Sequence, residues 1–126
     1  MNGFMISTQD APGIAARLLE ATAARGVNVF PAYGLADGTT GIILVGSDDE
    51  DGLRGAIADA GLQATALEMV TTEIDNRPGT GAALFRKLAD AGVNVRAAVP
   101  TGMGGDKVQI SLAADDVAAL KAALGG

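Results

Sequence analysis

Two short motifs, each present twice, hold the residues best suited to binding chemistry. The first is Asp10-Ala11-Pro12-Gly13, with Asn76-Arg77-Pro78-Gly79 as its second form. Pro at a first helical position presets the backbone for a helix, so each motif should open one. A helix start offers unpaired N–H groups and the positive end of a dipole, a natural seat for a carboxylate. Gly13 and Gly79 have no side chain to keep a ligand away from those groups. The second motif is Gly26-Val27-Asn28-Val29, repeated as Gly92-Val93-Asn94-Val95. Asn28 and Asn94 bring an amide donor and acceptor that could meet a ligand's polar groups. Each motif also has a plainer reading, because Pro-Gly is good helix-start chemistry and Asn readily satisfies a turn.

Covalent and metal-assisted catalysis find little support beside these motifs. The chain of 126 residues has no Cys and no His. It therefore lacks a thiolate nucleophile, a Cys-based metal site, and the commonest general base near neutral pH. Asp48, Asp49, Glu50 and Asp51 are four consecutive acids, but without the spacing of a calcium loop they read as the acidic first turn of a helix. Gly102 to Lys107 is glycine-rich, yet it lacks the phosphate-loop pattern and lies between two strand-like runs, so it reads as a hairpin. No catalytic residue, metal site or cofactor is expected.

The elements that position the motifs come in duplicate. Pro12–Ala32 and Pro78–Ala98 align without a gap at an offset of 66, and 10 of the 21 pairs are identical. Around them the pattern predicts a strand over Phe4–Thr8, then a helix from Pro12 with Asp10 as its capping residue. Ile14, Ala15, Leu18, Leu19 and Thr22 fall on one face of that helix, and Gly26 closes it. A second strand is expected over Val27–Leu35, at a sheet edge or carrying a bulge because Pro31 removes a donor. Asp37-Gly38 then turns the chain into a third strand over Gly41–Gly46. Ser47 is the expected cap of a helix carrying Leu53, Ile57 and Ala60, ended by Gly61.

A strand over Leu62–Leu67 completes β-α-β-β-α-β. The second half repeats the order with strands over Met69–Ile74, Val93–Val99 and Lys107–Leu112, and with helices over Pro78–Ala91, bearing Leu84, Phe85 and Leu88, and over Asp115–Leu124. Its last strand is missing, since only Gly125 and Gly126 follow Leu124. The expected fold is α+β: two ferredoxin-like units, residues 1–67 and 68–126, each an antiparallel sheet with helices on one face. Extended throughout, the 13 residues Leu62–Ile74 would reach about 43 Å, too long for one strand, so a bend or change of sheet is predicted near Ala66–Glu68.

Both motifs, in order and twice, resemble the ACT domain family and its tandem pair found as a small free-standing protein. The resemblance covers essentially the whole chain. Asn76 departs from it, standing where the family motif has Asp. The resemblance implies a regulatory module whose small ligand, commonly an amino acid, lies where paired units meet. It places that ligand against Asp10, Ala11, Pro12, Gly13, Asn28 and Val29 in one half, and Asn76, Arg77, Pro78, Gly79, Asn94 and Val95 in the other. It also implies a homodimer and a regulated enzyme as partner. Arg77, which replaces Ala11, could pair with a carboxylate. The rival readings are a ligand-free oligomerisation module and a small enzyme on the same scaffold.

Charge narrows the partners. The net charge is −6, and neither half is basic, with 3 Lys/Arg against 8 Asp/Glu in residues 1–66 and 6 against 7 thereafter. Nucleic acid is therefore not expected as a partner, since phosphate binding needs clustered cations. The chain has no apolar run long enough to cross a bilayer and no signal peptide at Met1–Thr8, so a cytoplasmic location is expected.

Overall fold

The computed structural model describes residues 1–125. The chain divides into two compact units, Met1–Leu67 and a second beginning at Glu68. Unit 1 runs β1 (Asn2–Gln9), α1 (Ile14–Ala24), β2 (Ala32–Ala36), β3 (Thr40–Val45), α2 (Glu50–Asp59) and β4 (Thr65–Glu68). Unit 2 runs β5 (Val70–Asp75), α3 (Thr80–Asp90), β6 (Val95–Gly104), β7 (Lys107–Ala114) and α4 (Val117–Gly125). The sheet orders are β2-β3-β1-β4 and β5-β7-β6. The pairs β1·β3, β2·β3, β5·β7 and β6·β7 are all antiparallel. This is the ferredoxin-like α+β architecture, twice, with the fourth strand absent from the second sheet among the described residues.

Each unit buries a small core between one sheet face and its helices. Alternation in β1 sends Phe4 and Ile6 inward, where they pack with Val45, Leu18, Leu53 and Ile57. In unit 2, Leu112 and Ala114 from β7 meet Leu84 and Leu88 from α3 and Leu120 from α4. Leu18 with Thr22 and Leu84 with Leu88 are i,i+4 pairs, the stripe a helix must present to a sheet. Leu19 and Phe85, expected on those faces, are exposed instead. Each follows the central Leu by one position and so lies about 100° around the helix.

Helix ends show how the glycines punctuate the fold. Gly26 has φ 68°, and its N–H donates to the Ala23 carbonyl while Val27 N–H donates to that of Thr22. Gly61 with Leu62, and Gly92 with Val93, repeat this Schellman closure. The starts differ from expectation. Gly13 (φ 87°) and Gly79 (φ 91°) occupy the capping positions of α1 and α3, so the helices begin at Ile14 and Thr80, and the Asp10 side chain caps nothing. Ser47 is not the cap of α2 either. Asp49 takes that role, accepting from Gly52 N–H at 2.9 Å.

Strand boundaries also move: β4 begins at Thr65 rather than Leu62, and β6 runs Val95–Gly104 rather than Val93–Val99. The strand expected over Val27–Leu35 begins only at Ala32, because the backbone at Phe30 and Pro31 meets Gly46 alone before the ladder starts. Of the two alternatives Pro31 raised, the edge is the one found: β2 lies at the sheet edge, with Pro31 just before it. The chain leaves the first sheet at Glu68 and joins the second at Val70, one residue beyond the range predicted for that change.

Candidate functional site

In unit 1, the first motif lies where β1 gives way to α1. Asp10 N–H donates to the Thr39 carbonyl at 2.9 Å, tying the motif to the β2–β3 hairpin. That hairpin is held by Asp37, whose carboxylate accepts from the N–H groups of Thr39 (2.9 Å) and Thr40 (2.8 Å). No side chain caps α1. By contrast, Asp49 caps α2, and Asp116 accepts from Ala119 N–H at the start of α4. The first turn of α1 therefore keeps its free donors.

Beside that turn is a hollow of about 240 Å³, bordered by Thr8, Asp10, Ala11, Ile14, Leu35 and Ile42 among others. It joins a carboxylate, a helix N-terminus and apolar walls. Pro12 and Gly13, expected at the site, do not line it. A Cβ built on Gly13 would meet nothing within 4 Å, so glycine is required there by its left-handed backbone rather than by crowding.

The second motif lines different ground. Val29 packs against the core of unit 1. Asn28 borders a separate hollow of about 460 Å³ with Phe30, Ser47, Asp48 and Asp49. The Asn28 carbonyl accepts from the buried Ser47 hydroxyl at 2.6 Å, and that hydroxyl oxygen accepts from Asp49 N–H at 3.1 Å. Within unit 1 the two motifs are thus not brought into one cavity.

Unit 2 keeps the geometry and changes the chemistry. Asn76 N–H donates to the Asp106 carbonyl, as Asp10 does to Thr39. The Asn76 side chain reaches the Met103 sulfur at 3.9 Å. Arg77 pairs with Asp75 at 3.2 Å, and Lys107 pairs with the same carboxylate. These two cations hold the Asp75 carboxyl below the usual carboxylate range, Lys107 contributing more than Arg77. Pro78 and Gly79 repeat the uncapped start, while the Thr80 hydroxyl donates back to the Asp75 carbonyl at 2.6 Å. Asn94 donates to Asp115 at 3.2 Å, Arg96 lies 3.6 Å from the same carboxylate, and Val95 joins the core. Asn94 is therefore held through its side chain, whereas Asn28 is held through its backbone carbonyl.

Sequence reasoning overlooked Leu35, Ile42 and Thr8 as walls and Asp75–Lys107 as an ion pair. Their signal was cross-strand register, which places Leu35 beside Ile42 and Asp75 beside Lys107. A single strand read alone does not carry it.

Geometry of this kind defines a class of fold: a tandem pair of ferredoxin-like ACT-type repeats. Solved structures bear this out. BT0572 from Bacteroides thetaiotaomicron is similar at a TM-score of 0.81 and 16% identity, over 98% of this chain and 85% of that one. The ligand-free regulatory subunit of aspartate kinase from Thermus thermophilus is similar at 0.65 and 23%, over 98% and 86%. A structure of aspartokinase alpha and beta subunits is similar at 0.65 and 17%, over 99% and 93%. No family model matches the chain, and no curated protein matches it. Among the described residues no helix is long and apolar enough to cross a membrane.

Proposed function

We propose that this chain is a non-catalytic regulatory module that binds a small zwitterion, an amino acid, at the hollow beside Asp10 and the start of α1. The observation that carries the reading is the pairing, in one hollow, of an acid with an uncapped helix start. The helix start suits an α-carboxylate, and Asp10 suits the ammonium two bonds away. A hollow of about 240 Å³ also favours a ligand below drug size. The likeness to regulatory subunits of aspartate kinase supports a module that acts on an enzyme. Binding would bias the arrangement of ACT-type units, with a unit of a second copy closing the hollow and supplying its Asn28 face.

Unit 2 offers the weaker site. Its carboxylate, Asp75, is held by Arg77 and Lys107, and Asn76 has no charge for an ammonium. The two halves should therefore bind unequally.

Thermal melts against the twenty amino acids test the reading. A ligand at 100 times its dissociation constant stabilises the fold by about 2.7 kcal/mol. That corresponds to a rise of about 8 to 12 °C in Tm at this chain length. Ala11→Glu should cut the shift by more than half, because it adds an anion beside the carboxylate seat while the dipole of α1 tolerates it. If no amino acid moves the midpoint, a ligand-free interaction module is the better account.

A further inference from the structure

The two units carry different side chains on one row of their sheets. Directly opposed residues on neighbouring strands share a face of the sheet. In unit 1 the register sets Ile6, Ile43 and Gly34 in one row on the core side, and Thr8, Gly41 and Ala36 in the next, at the hairpin end. In unit 2 the matched rows are Thr72, Ile110 and Pro100, then Ile74, Val108 and Met103. Backbone bonds fix the match, because Asp10 N–H donates to the Thr39 carbonyl and Asn76 N–H to that of Asp106. The residues that follow, Thr40 and Lys107, oppose Gln9 and Asp75. At the hairpin end, then, Gly41 is replaced by Val108 and Ala36 by Met103.

Small residues leave open in unit 1 what larger ones cover in unit 2. Gly34, Ala36 and Gly41 all border the hollow of about 240 Å³ beside Asp10. Asp10 and Ala36 are separate parts of that border, whereas their counterparts touch, the Asn76 amide reaching the Met103 sulfur at 3.9 Å. Met103 is exposed, so its side chain spans this ground as a cover, from β6 to the turn before α3. Neither backbone nor crowding requires glycine at position 41. Its φ is not positive, and a Cβ there would make only ordinary contacts, 3.8 Å to Thr8 Cγ2 and 4.0 Å to Ala36 Cβ. Strand propensity favours a larger residue, so a glycine here keeps room for something to approach the sheet.

We infer that Gly41 and Ala36 select the ligand by the size of its side chain, and that the side chain they admit is aliphatic. The inference rests on the amino-acid site proposed above. With the carboxylate at the start of α1 and the ammonium at Asp10, the ligand's side chain is left to lie over Gly41 and Ala36, where unit 2 lays Val108 and Met103. Among the described residues Asp10 is the only charged one bordering the hollow, so a charged ligand side chain would lose water and gain no partner. Ile14 and Ile43 add apolar wall. Branched aliphatic amino acids, of the bulk that Val108 supplies in unit 2, fit this ground.

Titration calorimetry and thermal melts of the full chain with valine, leucine, isoleucine, threonine, lysine and glutamate test this. The three aliphatic amino acids should bind the native chain, threonine about 10-fold more weakly than its isostere valine, and lysine and glutamate should leave the midpoint unmoved. Gly41→Ala should weaken leucine and isoleucine by about 10-fold more than valine, a change of rank that general loss of structure would not produce. Gly41→Val and, separately, Ala36→Met should weaken all three by about 100-fold. Circular dichroism and the ligand-free midpoint should stay native, since each variant copies a side chain that unit 2 holds at the matched place. Ala36 is exposed on an edge strand, so A36M carries the test if G41V fails to fold. Undiminished aliphatic binding in a folded A36M or G41V, or tightest binding by threonine, lysine or glutamate, would overturn the inference and leave the amino-acid site standing. If none of the twenty amino acids moves the native midpoint, the site itself is refuted and the inference with it.

Discussion

Ser47 and Gly52 show how much of unit 1 rests on single atoms. Ser47 is buried and bridges the Asn28 carbonyl to Asp49 N–H. Ser47→Ala removes both contacts, each worth about 0.5 to 1.5 kcal/mol, so it should lower stability by about 1 to 3 kcal/mol, measured by urea denaturation. Gly52 is in a helix, where Ala would ordinarily gain about 1 kcal/mol. Here a Cβ would come within 2.7 Å of Val27 Cγ2 and closer still to the capping carboxylate of Asp49. Gly52→Ala should therefore lower the urea midpoint despite its better propensity, and a raised midpoint would show that the cap is dispensable. Gly13 is a different case. Space around it is open, but at φ 87° a Val costs about 1 to 2 kcal/mol of backbone strain, so Gly13→Val tests folding as much as binding.

At the scale of elements, each helix is fixed by its buried stripe and its ends. Leu53 of α2 is fully buried against Phe4, Leu18 and Ile57. Leu53→Ala should cost about 2 to 5 kcal/mol, a large fraction of what a unit of this size can hold. Retention of a native-like urea midpoint in that variant would contradict the core described above. Much of this was legible in advance. Glycines at 26, 61 and 92 marked the three Schellman ends, and the stripes of α1, α2 and α3 followed from spacing except at Leu19 and Phe85, which the structure leaves exposed. Strand ends were less legible, since the ladder at Ala32 depends on what Phe30 and Pro31 meet across the sheet. The caps were misread for a related reason. Asp10 and Ser47 have the right chemistry, but Asp10 is spent through its backbone on Thr39 and Ser47 on Asn28.

The whole molecule is acidic, and its exposed carboxylates set its response to pH. Asp37 is held low by the N–H groups of Thr40 and Thr39, Asp59 by Arg25, Glu68 by Lys121, and Asp75 by Lys107 and Arg77. A carboxyl whose value falls on folding contributes stability above its ordinary value, and that contribution is lost as pH falls through the lower, folded value. The ordinary values are 3.8 for Asp and 4.5 for Glu. Urea midpoints should therefore be level from neutrality to about pH 5 and drop below about pH 4. Asp75→Asn should make the acid limb shallower, and salt should weaken the effect because these pairs are exposed. A midpoint that rose on acidification would contradict the ion pairs.

Read alone, the sequence determined the duplication, the order of elements in both halves, the α+β class, and which turns recur most faithfully. These are local matters of periodicity, glycine backbone freedom and proline, and a linear chain records them directly. Only the tertiary structure decided which side chains share a hollow. It put Asp10 beside Leu35 and Ile42, sent Asn28 and Asn94 to other neighbours, and bound Asp75 to Lys107. Those outcomes depend on register and on how a helix sits over a sheet, and contacts between residues distant in sequence are the part of the physics that no local pattern carries.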